Sequence, residues 1–417
     1  MRLIKTTTLN GVAVTIKMLT MLAINKMLAI YVGPTGYAAV GQLQNAVQML
    51  TIFSGSAINT GVTKYTAEYY SDENAQKNIW QTAGSISFFS AILVSFLIAI
   101  FSKDLAILFL HDESLSTVFL WFSGGLTFFI FNSLLLAILN GKKEIAHYVT
   151  ANIFGNFLAL VITLILTWYF GLYGALVSLV LYQSLAFFST LLVCYRTKWF
   201  KFSYLIGPID HGFAKKLFYF ALMALASAIA LPLSNMLIRD FIVTESSLRD
   251  AGLWEALMRV SFAYLTFVST LFGVYFVPRF SELKEKQEVR NEVKKSLFMV
   301  LVFAGSTLPI LYFLRDDVIR LLFTAEFHQI GELIGVQLIG DFFKAIAFVF
   351  AYFMIAKANI KFFIVGEVLF SLVFVLTVQL FFPVLKLEAV VYAYLLTYLL
   401  YLTFMYAGYR NFFKKLV

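Results

Sequence analysis

Long apolar runs recur along this chain, each close to the roughly 20 residues a helix needs to cross a hydrocarbon core. Six of them, 82–102, 115–139, 148–170, 172–195, 217–238 and 296–314, are free of charge over most of their length. Less oily runs of similar length fill the gaps. The whole pattern predicts twelve helices, at about 9–32, 37–58, 82–102, 115–139, 147–170, 172–195, 216–238, 252–277, 296–314, 331–356, 361–382 and 388–409. Gly33-Pro34-Thr35-Gly36 reads as the tight outer turn between the first two. The fold class expected is an all-α, multi-pass membrane protein with twelve transmembrane helices.

Composition supports that expectation. The 417 residues are 61% hydrophobic and 13% charged, with a mean hydropathy of +0.84. Water-soluble domains carry about 25% charged residues, so a soluble reading fails. The N-terminal run, broken by Asn10 and Lys17, lacks a clean signal-peptide core and is expected to be a retained first span. Cys194 is the single cysteine, so no internal disulfide can form, and it reads as a small core residue.

A net charge of +9 could suggest nucleic acid, but the placement of the charges argues for topology instead. Alternate loops, beginning with the N-terminus, hold most of the 32 Lys and Arg. The opposite loops hold only Lys103, Arg239, Arg249, Arg315, Arg320 and Lys386. The positive-inside rule then puts both termini in the cytoplasm. No nucleic-acid partner is expected.

The basic inner loop around Pro208 divides the spans six and six, giving lobes over 1–199 and 216–417 joined by a cytoplasmic linker at 200–215. The two halves echo one another. Asn25-Lys26-Met27-Leu28 faces Ser234-Asn235-Met236-Leu237, and Gly61 to Tyr65 faces Phe276 to Phe280. An even number of spans per half makes the repeat parallel, with a pseudo-twofold axis, an arrangement common in transporters. The run from Glu282 to Lys295 alternates in sign and reads as a solvated surface helix.

Four cations lie inside apolar helices: Lys17, Lys26, Arg259 and Lys344. Charge at bilayer depth is costly, and it usually faces a bundle interior or a wet cavity. An anionic passenger explains them best. Asp341 lies one turn from Lys344 and Glu255 one turn from Arg259, so each can form an ion pair. Glu255, Asp341 and the buried Glu367 are candidates for ion coupling or for structural pairing. Lys17 and Lys26, nine residues apart, fall about half a turn from each other on a straight helix, which weighs against one shared cavity. Gln42, Gln44, Asn45 and Gln48 occupy a sector of about 160° on the second span. Amides suit sugar hydroxyls and serve equally as glue between helices. Asn152 and Asn156 on the fifth span invite the same two readings. No phosphate-binding loop, GxGxxG or HExxH sequence is present, and the four histidines lie in loops or at span ends. Neither an enzyme nor a cofactor or metal site is expected.

The segments NTGVTKYTAEYY at 59–70, IGDFFK at 339–344 and IAKANIKFFIVGEV at 355–368 resemble the Wzx-type flippases of Gram-negative bacteria. That family serves O-antigen and enterobacterial common antigen synthesis within the multidrug/oligosaccharidyl-lipid/polysaccharide exporter superfamily. The resemblance implies two six-helix lobes, an inner-membrane location and undecaprenyl-diphosphate-linked oligosaccharide as cargo, moved to the periplasmic leaflet. It implies that Lys17, Lys26, Asp341 and Lys344 belong to a central cavity. With the amides they make an expected cargo-contacting set of Lys17, Asn25, Lys26, Gln42, Asn45, Gln48, Lys64, Arg259 and Lys344. A polysaccharide polymerase and a chain-length regulator would be its partners in the bilayer. The Glu255/Arg259 pair is not a recognisable feature of that family. An ion-coupled drug/cation antiporter of the same superfamily is the alternative, which predicts a cavity rich in carboxylates. A membrane polymerase or ligase would carry a large periplasmic loop, and no such loop is present.

Overall fold

The computed structural model describes residues 16, 19–272, 276, 279, 280, 283, 285–357 and 359–415. Among the described residues the regular structure is helical, with no strand. Helix α1 covers Leu19–Tyr31 and α2 covers Gly33–Phe53. Gly33 lies between them at φ 64°, a left-handed conformation that glycine adopts without penalty. Pro34 then fits the first turn of α2, where no backbone N–H is needed. The boundary between α1 and α2 thus falls at the start of the Gly-Pro-Thr-Gly sequence.

The remaining helices of the first half are α3 (Asn59–Glu68), α4 (Glu73–Ile100), α5 (Ser102–Leu110), α6 (Ser116–Gly141) and α7 (Ile145–Tyr195). Asp72 starts α4 by accepting the Ala75 N–H, and Glu73 sits in its positive first turn. Helix α7 is 51 residues long but breaks at Gly171, whose φ is 53° and ψ −129°. A straight helix of that length would reach roughly 75 Å, more than twice a hydrocarbon core. Past the break the chain turns back so tightly that a Cβ on Gly174 would lie 1.8 Å from the Leu166 carbonyl oxygen. The expected fifth and sixth spans are these two arms.

Helix α8 (His211–Glu245) is followed by α9 (Leu248–Leu271), α10 (Lys286–Phe313), α11 (Arg315–Leu322), α12 (Ile330–Ala356), α13 (Ile360–Leu385) and α14 (Glu388–Lys415). Ser247 caps α9 by accepting the Asp250 N–H. The expected surface helix begins at Lys286, and its Glu292 is buried between Arg279 at 3.8 Å and Lys295 at 3.6 Å.

Seven helices among the described residues are long and apolar enough to cross a membrane: α4, α6 with the turn before it, α7, α10, α12, α13 and α14. Helices α2, α8 and α9 are also long enough to cross a hydrocarbon core, and they carry several of the expected site residues. Large apolar side chains face outward along α4, including Phe89, Leu93 and Phe96. An oily exterior of that extent suits lipid rather than water. Trp168, Tyr169 and Phe170 form an exposed aromatic group at the end of the first arm of α7, where an interfacial belt is expected.

The chain forms two compact units, Met1–Val32 with Ala39–Pro232, and Gly33–Ala38 with Leu233–Val417. In the first, α6 packs on α7, α4 and α3 around Trp80, Leu134, Leu135 and Ile138. In the second, α12 is central and packs on α14, α10 and α9. The start of α2 belongs to this second unit. Tyr37 is fully buried there, edge-on to Phe323 and Phe327. Pro34 presses on α9 so closely that a Cβ on Gly252 would stand 1.6 Å from its carbonyl oxygen.

Gly252→Ala should therefore overpack this contact at a cost of about 1–3 kcal/mol. Thermal unfolding of the purified protein should show a melting temperature lower by several degrees.

Candidate functional site

The second unit holds two buried charge centres. In the first, Arg239 of α8 and Arg259 of α9 share the carboxylate of Glu255. Arg239 reaches Oε2, and Arg259 Nε donates to Oε1 at 3.0 Å. Glu255 and Arg239 are both more than nine-tenths buried. The two guanidinium groups also lie against aromatic faces, Arg239 on Trp254 at 5.5 Å and Arg259 on Tyr37 at 5.1 Å. Sequence reasoning paired Glu255 with Arg259 but placed Arg239 in an outer loop. That placement is corrected: α8 runs to Glu245, seven residues past the expected end of the seventh span.

The second centre is built on α12, α13 and α14. Asp341 is fully buried and accepts a hydrogen bond from the Tyr394 hydroxyl at 2.8 Å. Gln337 donates to Ser261 Oγ at 3.0 Å, and both side chains act on the Asp341 carboxyl. The ammonium of Lys344 lies over the ring of Tyr398 at 4.4 Å and that of Tyr394 at 5.4 Å. Among the described residues, no carboxylate lies within 4.0 Å of it. The direct Asp341/Lys344 ion pair expected from helical spacing is thus absent, because Tyr394 stands between them. Glu367 is held in turn by the Tyr401 hydroxyl at 2.6 Å.

Tyr394, Tyr398 and Tyr401 follow an i, i+4, i+7 pattern, one stripe on α14. This stripe organises Asp341, Lys344 and Glu367 together. Cation–π contact is worth about 0.5–2 kcal/mol depending on desolvation. It steadies an ammonium without neutralising it. The tyrosine spacing was visible in the sequence, but aromatic residues so abundant in this chain carry little signal alone.

The other expected residues belong to the first unit. Asn25 is buried and Lys26 half-buried on α1, while Lys17 lies outside the described residues. On α2, Gln42 is buried, Asn45 half-buried, and Gln44 and Gln48 exposed, so the amide sector straddles the edge of the packed face. Lys64 of α3 is exposed and lies over the rings of Tyr65 and Phe220. Asn152 and Asn156 line a small polar pocket with Asn132, Tyr182, Gln183 and Thr190. There Asn132 donates to Gln183 at 2.7 Å and accepts from Thr190 at 2.7 Å. Sequence reasoning missed these partners on α6 and α7.

A family model described as "Polysaccharide biosynthesis protein" matches residues 3–284. The lipid III flippases of Escherichia coli (strain K12) and Shigella flexneri are each 29% identical over 350 residues, 83% of either chain. Among solved structures, an inward-facing multidrug resistance MATE family transporter of the MOP superfamily superposes with a TM-score of 0.80 at 12% identity. That match covers 96% of this chain and 95% of the other. The lipid II flippase MurJ in an inward closed conformation gives a TM-score of 0.72 at 15% identity, over 98% and 87%. At such identities the solved structures speak to the fold alone.

Because Glu255 bridges two buried cations, Glu255→Gln should be among the most destabilising single changes in the second unit. Breaking a buried pair in this way costs about 3–5 kcal/mol. Glu255→Asp should cost less, and thermal unfolding of both variants in detergent compares them.

Proposed function

This chain belongs to the polysaccharide biosynthesis protein family, and from that membership we propose that it moves a lipid-linked oligosaccharide between the leaflets of a membrane. The likeness to Wzx-type flippases read from the sequence agrees with the two lipid III flippases among its relatives. The observation that carries the mechanism is Lys344, an ammonium inside α12 held by tyrosine faces, with no carboxylate within ion-pair distance among the described residues.

The cargo in this proposal is undecaprenyl-diphosphate-linked glycan, carried from the cytoplasmic to the periplasmic leaflet of the bacterial inner membrane. Twelve crossings in two six-helix lobes, with both termini cytoplasmic, form the framework. Lys344 and Arg259 attract the diphosphate, since charge-assisted contacts to phosphate oxygens are the strong kind. Lys17 and Lys26 assist from the first span. The amides of Asn25, Gln42, Asn45 and Gln48 receive sugar hydroxyls, while the polyprenyl tail stays in lipid. Rocking of the lobes exposes the site to each side in turn. Asp341 and Glu367, tied to the same tyrosine stripe as Lys344, supply the groups for coupling to an ion gradient. A polymerase and a chain-length regulator would receive the product.

The drug/cation antiporter reading has less behind it. It predicts a cavity rich in carboxylates, whereas Glu255 is shared between two guanidinium groups and Lys344 lies on tyrosine rings.

Lys344→Ala should reduce flipping at least about tenfold, the effect of losing one charge-assisted contact of about 1.5–3 kcal/mol. Lipid-linked glycan should accumulate in the cytoplasmic leaflet while immunoblots show normal membrane insertion. Full surface polysaccharide in that mutant would overturn the assignment.

A further inference from the structure

Six lysines of the first unit lie at one end of its helices, and each rests on an aromatic ring. Lys142 lies over Tyr70, Trp80 and Trp199 at 5.3, 5.9 and 5.7 Å. Lys143 also faces Tyr70, and Lys77 and Lys201 flank Tyr204. Lys64 and Lys216 lie 5.0 and 5.3 Å from the centroid of a single ring, Tyr65. None of the six makes an ion pair among the described residues. Glu68 is near enough to act on Lys216 but does not bridge to it, and the Lys216 ammonium donates instead to the Tyr69 hydroxyl at 3.2 Å. The mechanism proposed above uses none of this group.

The Lys64/Lys216 pair is rigidly built. Tyr65 is buried, and Phe220 meets it edge-on at 5.8 Å. Helix α3 approaches α8 so closely at Gly61 that a Cβ there would lie 2.9 Å from Leu217. The two ammoniums are thus held on either helix about one fixed ring. Each remains partly open to solvent. Lysine binds phosphate as a point charge, and two such charges on one ring suit the higher charge and two linked phosphates of a diphosphate.

We propose that Lys64 and Lys216, set on Tyr65, form a capture site for the diphosphate headgroup of the lipid-linked cargo, separate from Lys344. The proposal rests on the flippase reading and its orientation, which turn this lysine-rich end toward the cytoplasm. It gives the first unit a loading step that precedes translocation, with the Lys142 cage and its neighbours supplying the attractive field around it.

Equilibrium binding of radiolabelled farnesyl diphosphate and farnesyl monophosphate to the full-length protein in zwitterionic nanodiscs tests it. The protein should prefer the diphosphate. Lys64→Gln/Lys216→Gln should weaken diphosphate binding at least tenfold and monophosphate binding much less. Lys64→Arg/Lys216→Arg should restore it, which excludes misfolding as the cause. Lys344→Ala should keep the component of diphosphate binding that the double Gln variant loses, even where it abolishes flipping, so that failure of the capture site and failure of the flippase reading are told apart. Undiminished diphosphate binding in the double Gln variant would overturn the proposal. So would loss of all binding in Lys344→Ala, or an equal loss for both ligands and for discs containing phosphatidylglycerol, which would mark a general anionic-lipid surface.

Discussion

Positive charge held away from water is the constraint on which this molecule is organised. Removing an ion from water costs several kcal/mol even after relaxation, so each buried cation must find compensation nearby. Two solutions are present. Glu255 compensates Arg239 and Arg259 by direct ion pairing. Lys344 is instead laid on tyrosine faces, which lower its energy while leaving its charge available. The first solution serves cohesion between α8 and α9. The second leaves a cation ready for a ligand.

Much of the architecture was legible in the sequence because it follows from short-range rules. Runs of apolar residues marked most of the helices, and Gly33-Pro34 marked the boundary between α1 and α2. The gap between the fifth and sixth predicted spans fell on Gly171, where the backbone breaks. The sites were less legible because they depend on distance in space. Arg239 was read as a loop residue, since a charge near the end of an apolar run looks solvated, and its acid partner lies 16 residues further on. Asp341 and Lys344 have the spacing of a helical pair, yet a side chain from α14 separates them. The three tyrosines responsible are among 22 in the chain, so composition hides them. Lys17 lies outside the described residues, and its place in the site stays a proposal.

The fold alone would not have distinguished a drug exporter from a lipid flippase, since solved MATE transporters and MurJ both superpose on this chain. Function resides in the groups a scaffold presents. Here Glu255 is committed to arginine and Asp341 and Glu367 to tyrosine partners, while Lys344 has no carboxylate within ion-pair distance among the described residues. That asymmetry favours an anionic cargo, and the family match and relatives support the same direction.

The short segment Gly33–Ala38 belongs to the unit that otherwise begins at Leu233. Its Tyr37 plugs a space between Phe323, Phe327 and Arg259. A chimaera that exchanges carboxy-terminal halves between related flippases must therefore transplant this hexapeptide as well. Co-expressed half-proteins divided near residue 210 would meet the same obstacle, because the later half has no tyrosine of its own for that socket. The graft points lie at both ends of Gly33–Ala38 and near residue 232, rather than at the 200–215 segment.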